Sequence, residues 1–183
     1  MPSHIVFTVG HSTRTIEDFV ALLKGHDIQR LIDVRSIPRS HHNPQFARDH
    51  LTPVLARFGI RYSHMPGLGG RRNARKYSRN TGWRNLSFRG YADYMETPAF
   101  EDSLDRCIAL ARDERVVLMC AEAVPWRCHR SLIADALLAR GIEVRDITSA
   151  VRARPHSLTS WAQIRGGHVT YPREEDFMKE TRS

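Results

Sequence analysis

The stretch from Cys120 to Ser131 reads Cys-Ala-Glu-Ala-Val-Pro-Trp-Arg-Cys-His-Arg-Ser, and it concentrates groups able to do chemistry. Thiols stand at Cys120 and Cys128, a carboxylate at Glu122, an imidazole at His129, and guanidinium groups at Arg127 and Arg130. The apolar run Val116-Val117-Leu118-Met119 precedes it, and an amphipathic helical pattern follows from Ser131 to Arg140. A thiol that ends a buried strand and faces the first N–H groups of a helix, with an arginine nearby, is favoured as thiolate. Cys120 is therefore the candidate nucleophile or redox-active thiol, with Glu122 or His129 exchanging protons beside it. The plain alternative is a small buried residue that finishes a central strand. Cys107, in the helical pattern of Phe100, Leu104, Ile108 and Ala111, reads as a structural core thiol.

Ligands of open parallel sheets bind outside the carboxyl ends of the strands, so the residues that follow the other strand-like runs are candidates as well. These are Gly10, His11 and Ser12, then Arg35, then His64 with Gly69 and Gly70. Together with Arg127, Cys128 and Arg130 they form the expected ligand-binding set. Glycines allow close backbone approach, and arginines with helix amides hold an anion, a phosphate-bearing one foremost. A second alternative is a metal, because Cys120, Cys128, His129, His11 and His64 are suitable ligand types for zinc or iron. Their spacing matches no finger or ribbon, so no residue is assigned to a metal. His41 and His42 read as solvated loop, and the sequence names no cofactor.

Lys+Arg 28 against Asp+Glu 20 leaves a formal charge of +8, which favours an anionic partner. Apart from Lys24, Lys76 and Lys179 every basic residue is arginine, a bias that a GC-rich genome would also produce. The clustering is more specific: Arg71, Arg72, Arg75, Lys76, Arg79, Arg84 and Arg89 lie within 71–90 without one acid. Tyr77, Trp83 and Phe88 are interleaved with them. A nucleic-acid-binding module is thus the first alternative, with Arg71, Arg72, Arg75, Lys76 and Arg79 on phosphates and Trp83 stacking on a base. A lid over a small phosphorylated substrate, or a merely solvated basic excursion, uses the same residues differently.

Positioning these groups falls to a chain of 183 residues, 41% of them hydrophobic, which suits one domain spanning 1–183. Short β-rich runs at Ile5–Val9, Leu31–Val34, Ile60–His64, Val116–Cys120 and Ile142–Ile147 alternate with helical patterns. Thr15 and Thr97-Pro98 supply helix starts, and Thr52-Pro53 predicts that the helix between 46 and 58 becomes regular at Pro53. The alternation predicts a Rossmann-like α/β three-layer sandwich with a mostly parallel central sheet of about five strands and helices on both faces. The 71–90 segment, which shows no period, is a basic loop insertion, and a weakly patterned extension begins near 149, anchored by Trp161 and Tyr171. No run is long and apolar enough to span a membrane, and Met1–His11 lacks a signal-peptide pattern. A soluble, cytoplasmic protein is expected, in an oligomeric state the sequence does not specify.

Several of these residues carry a resemblance in their order and spacing. Val9-Gly10-His11-Ser12, Asp33-Val34-Arg35 with Pro38-Arg39-Ser40, Leu68-Gly69-Gly70, Tyr91 to Met95, and Cys120-Ala121-Glu122 with Cys128-His129-Arg130 resemble the family known as domain of unknown function 488. That resemblance implies a compact intracellular α/β domain and brings no settled reaction and no agreed catalytic residues. A fainter similarity is to rhodanese and cysteine-phosphatase domains, in which a strand-end cysteine faces a cradle of amides and an arginine. Here the interval from Cys120 to Arg127 is longer than the phosphatase loop, and Glu122, Pro125 and Trp126 replace its small residues.

Overall fold

The computed structural model describes residues 4–175. The chain runs β1 (Ile5–Gly10), α1 (Ile16–Gly25), β2 (Arg30–Asp33), α2 (Arg48–Arg57), β3 (Arg61–His64), α3 (Leu86–Tyr94), α4 (Pro98–Asp113), β4 (Val116–Cys120), α5 (Arg130–Ala139), β5 (Glu143–Ser149) and β6 (Arg152–Pro155). A hairpin of β7 (Gln163–Arg165) and β8 (His168–Thr170) follows. All five expected strands form and pair in parallel in the order β3-β2-β4-β1-β5. A sixth strand, β6, adds antiparallel to β5 from within the weakly patterned extension.

The apolar run of β4 is explained by burial on both faces. Val116, Leu118 and Cys120 join the core under α3, α4 and α5, while Val117 and Met119 join the core under α1 and α2. Neighbouring β1 alternates likewise, Val6 toward α4 and α5, and Phe7 and Val9 toward α1 and α2. The result is the three-layer sandwich, with helices on both faces of a mostly parallel sheet.

Local signals explain most helix ends. Thr15 accepts a hydrogen bond from Asp18 N, and Thr97 from Phe100 N, contacts worth about 1 kcal/mol each. Two expectations need correction. The helix containing Pro53 starts at Arg48, with the proline inside it. Leu51 N already donates to the Ala47 carbonyl, so the first turn is closed before the proline removes a donor. The segment 71–90 is also not wholly a loop, because α3 begins at Leu86, capped by the Asn85 side chain, which accepts from Ser87 N and Phe88 N.

Candidate active site

The connections place a crevice at the end of β4. The chain leaves β1 and β2 toward the α1–α2 face, whereas it leaves β4 toward α5 on the opposite face. β4 lies between β1 and β2, so the loops part where Cys120 ends the strand, at a topological switch point. Backbone bonds continue the ladder past the strands: His11 N donates to Cys120 O at 2.9 Å, Ser12 N to Ala121 O at 3.0 Å, and Val34 N to Met119 O at 3.1 Å. Gly10 is required here, because a Cβ would lie 1.9 Å from the Glu122 carbonyl oxygen. Ser12 adopts the left-handed backbone, at φ 52°.

Cys120 and Cys128 are both buried and free, and each shifts the titration of the other. Cys128 Sγ accepts from Arg130 N at 3.4 Å and lies 3.6 Å from His129 Nδ1. The hydrogen bond from Cys128 lowers the pKa of Cys120; burial opposes that shift, and the Arg130 charge adds to it. Cys128 moves the other way, chiefly because giving up its proton would break that same bond. The pair thus holds one proton more loosely than the other, with the thiolate on Cys120. Protonated Cys120 donates to the Glu122 carbonyl at 3.3 Å.

The buried arginines differ in what they touch. Arg35 forks onto Asp33 at 2.9 and 2.7 Å, donates to Phe46 O at 2.8 Å and meets His11 Nε2 at 3.4 Å. His11 stacks on Phe46, and its Nδ1 lies 2.8 Å from Ser12 O, so a neutral ring donates there and accepts from Arg35. Arg130, 1% exposed, reaches under the loop to Thr8 Oγ1 at 3.0 Å and to the carbonyls of Glu122 and Ala123 at 3.1 and 3.3 Å. Its Nε has no partner among the described residues. Arg130 therefore acts on Cys120 through its charge from below.

A cavity of about 270 Å³ opens over the thiols. Of the expected residues it gathers Cys120, Glu122, His129, Arg35, Gly70, Arg127 and Cys128, together with Arg71. Gly10, His11, Ser12, His64, Gly69 and Arg130 lie outside its lining and support it instead. His64 Nε2, for example, lies 2.8 Å from the Arg35 carbonyl, and a Cβ on Gly69 would strike Ser36. Ser87, Tyr91 and Ala121, not singled out in the sequence for chemistry, also line the cavity, as does Phe88, one of the aromatics interleaved with the arginines. Tyr91 donates to Leu68 O at 2.8 Å and Tyr94 to Gly67 O at 2.7 Å, so α3 braces the glycine turn. The Asn85 cap was the available signal.

The basic segment is largely committed to the protein itself. Arg72 lies 3.7 Å over the Tyr94 ring and donates to Gly69 O, while Arg75 and Arg79 pair with Glu96. Trp83 packs edge-on against Phe88 and Trp161 and lies beside Tyr171, so its faces are occupied. Lys76 lies 5.3 Å from the Tyr77 ring. Among the described residues no group of three or more His, Cys, Asp or Glu is arranged to hold a metal ion. His11 and His64, ligand types in the metal alternative, spend a ring nitrogen each on the carbonyls of Ser12 and Arg35. No helix among the described residues is long and apolar enough to cross a membrane.

Fold and site together define a doubly wound α/β protein with a buried thiol pair at the switch point of its sheet. Within that class the chain belongs to the family described as Domain of unknown function DUF488, whose model matches residues 15–137. Neither a curated protein nor a solved structure matches the chain.

Three histidines make stability depend on pH in opposite senses. Burial holds His11 and His129 down at about 4, the carbonyls of Val34 and Leu68 only partly offsetting this for His129. Burial also disfavours the charged form of His156, but its bonds to Asp135 and Asp146 outweigh this and raise it to about 9. The His156 contribution, roughly 3 kcal/mol, is complete below about pH 6.5 and is lost as pH rises through 9. As pH falls from about 6.5 toward 4, the unfolded chain protonates at His11 and His129 before the folded one does, and stability falls again. Urea midpoints measured from pH 4 to 10 should peak near pH 6.5, and a His156→Gln variant should lose the decline above it.

Proposed function

We propose that the cavity binds a small anionic, phosphate-bearing ligand and that Cys120 acts on it as a nucleophilic thiolate, in transferase or hydrolase chemistry. The observation that carries this reading is a pair of thiols, Cys120 and Cys128, lining one cavity whose walls include Arg35, Arg71 and Arg127. Arg71 and Arg127 make no side-chain hydrogen bond or ion pair among the described residues, and both are exposed at the rim. Cys128 donates its one proton to the thiolate, neutral His129 lies beside Cys128 with Nδ1 3.6 Å from its sulfur, and Glu122 at the rim exchanges the leaving group's proton. Buried Arg130 supplies positive charge without occupying ligand space. A nucleic-acid module built on the 71–90 segment is the weaker reading, since Arg72, Arg75, Arg79 and Trp83 already have partners within the protein.

Alkylation tests this without a known substrate. Relative to a small free thiol measured in parallel, Cys120 should favour anionic iodoacetate over neutral iodoacetamide by about tenfold, the equivalent of 1.4 kcal/mol. Inorganic phosphate or sulfate should slow both reagents. Labelling is located by peptide mass, and Cys120→Ser must abolish it. A reagent preference equal to that of the free thiol would overturn the anion site, and a Cys120 inert below pH 8 would overturn the thiolate.

A further inference from the structure

The hollow over Cys120 continues away from it. A second cavity, of about 570 Å³, shares Arg35, Gly70, Arg71, Ala121 and His129 with the first. It runs on over Ser36, Ile37, Arg39 and His41, which also line a third cavity of about 570 Å³ that ends at Arg48 and Asp49. Through these shared walls the three form one groove, from the thiol to the first turn of α2. Its volume is far more than a single oxyanion needs, since spaces of this size hold whole organic ligands.

Charge along the groove has a pattern. Arg71 and Arg127 line the inner cavity, Arg71 and Arg39 the middle one, and Arg39 and Arg48 the outer one. Glu122 and Asp49 are the acids, one at each end. Arg39, like Arg71 and Arg127, is exposed and makes no side-chain hydrogen bond or ion pair among the described residues. The neighbouring Arg72, Arg75 and Arg79 are, by contrast, all committed. Arg71 is held at φ 60°, a left-handed backbone that costs a residue with a Cβ roughly 1 kcal/mol. Between the two ends Ile37 presents an apolar surface, 52% exposed. Gly70 stands where the first two cavities join, and a Cβ there would come 3.0 Å from His129 Nδ1, narrowing the passage.

From this we infer that the groove takes an extended ligand carrying at least two phosphate groups, one held over Cys120 and another at Arg39 and His41. This deepens the proposed function and rests on it, because the inner phosphate is the one the thiolate would address. Two cationic positions separated by an apolar wall select a chain-like polyanion over a single compact one, the gain coming from the second charged contact.

The test uses protection of Cys120 from iodoacetamide in the full-length protein, with inorganic phosphate and tripolyphosphate as probes. Tripolyphosphate should half-protect at a concentration at least tenfold below that of phosphate. Arg39→Gln should remove about tenfold of that advantage, leaving both phosphate protection and the unprotected alkylation rate unchanged. Arg127→Gln, at the inner end, should weaken protection by both probes. If phosphate protects and tripolyphosphate is no better, or is unaffected by Arg39→Gln, the outer subsite is wrong and the anion site at Cys120 stands. If neither probe protects, the inner site fails and the extended groove with it.

Discussion

Cys128→Ala is expected to slow alkylation of Cys120 at pH 7 by about fivefold or more and to leave the rate above pH 10 unchanged. The thiolate is the reacting form, and Cys128 donates the hydrogen bond that most favours it. A hydrogen bond to a charged group contributes about 1.5–3 kcal/mol, or roughly one to two pH units in the inflection of the rate profile. Cys128→Ser, which keeps a donor of similar size, should restore much of the wild-type profile. The comparison separates a direct role from a structural one, because a merely loosened loop would change the rate at every pH and would not be rescued by serine. An inflection that stays in place in Cys128→Ala would assign the whole effect to Arg130, whose guanidinium also favours the anion from beneath the loop.

The second large effect concerns stability. Asp33→Ala removes the carboxylate that forks onto Arg35 and also accepts from the Tyr62 hydroxyl. Asp33 is 0% exposed and Arg35 7%, so the guanidinium would be left buried with only the Phe46 carbonyl and His11. Breaking such a pair by removing one partner costs about 3–5 kcal/mol, against a total of about 5–15 kcal/mol for an ordinary domain. Urea denaturation followed by circular dichroism should show the midpoint falling by about a fifth or more. Asp33→Leu combined with Arg35→Met should recover part of the loss, since the unpaired charge is gone. A loss under about 1 kcal/mol for Asp33→Ala would mean that water reaches Arg35 and that the cluster does not brace the end of β2.

Local patterns accounted for the five parallel strands and the threonine caps. A strand buried on both faces must be apolar at every position, and a cap bonds a backbone group three residues away, so each is written in a few neighbouring residues. The same locality made Cys120 legible as a strand-end thiol next to a helix start. Less local features were not. β6 pairs by backbone through Arg152–Pro155, residues without apolar alternation, and α3 depends on Asn85 in a segment dominated by arginine. Arg127 and Arg130 stand three positions apart in one motif, yet one reaches the cavity rim and the other lies under it bound to Thr8, a β1 residue distant in the chain.

The amino-acid order on its own determined that a parallel α/β sheet would collect thiols, imidazoles and arginines along one edge, because strand period, caps and strand ends are short-range properties. Which arginines remain free for a ligand was decided only by the tertiary structure. A guanidinium is taken up by whatever carbonyl or carboxylate the topology brings to it. That is how Arg72, Arg75 and Arg79 became internal braces, while Arg39, Arg71 and Arg127 face the groove.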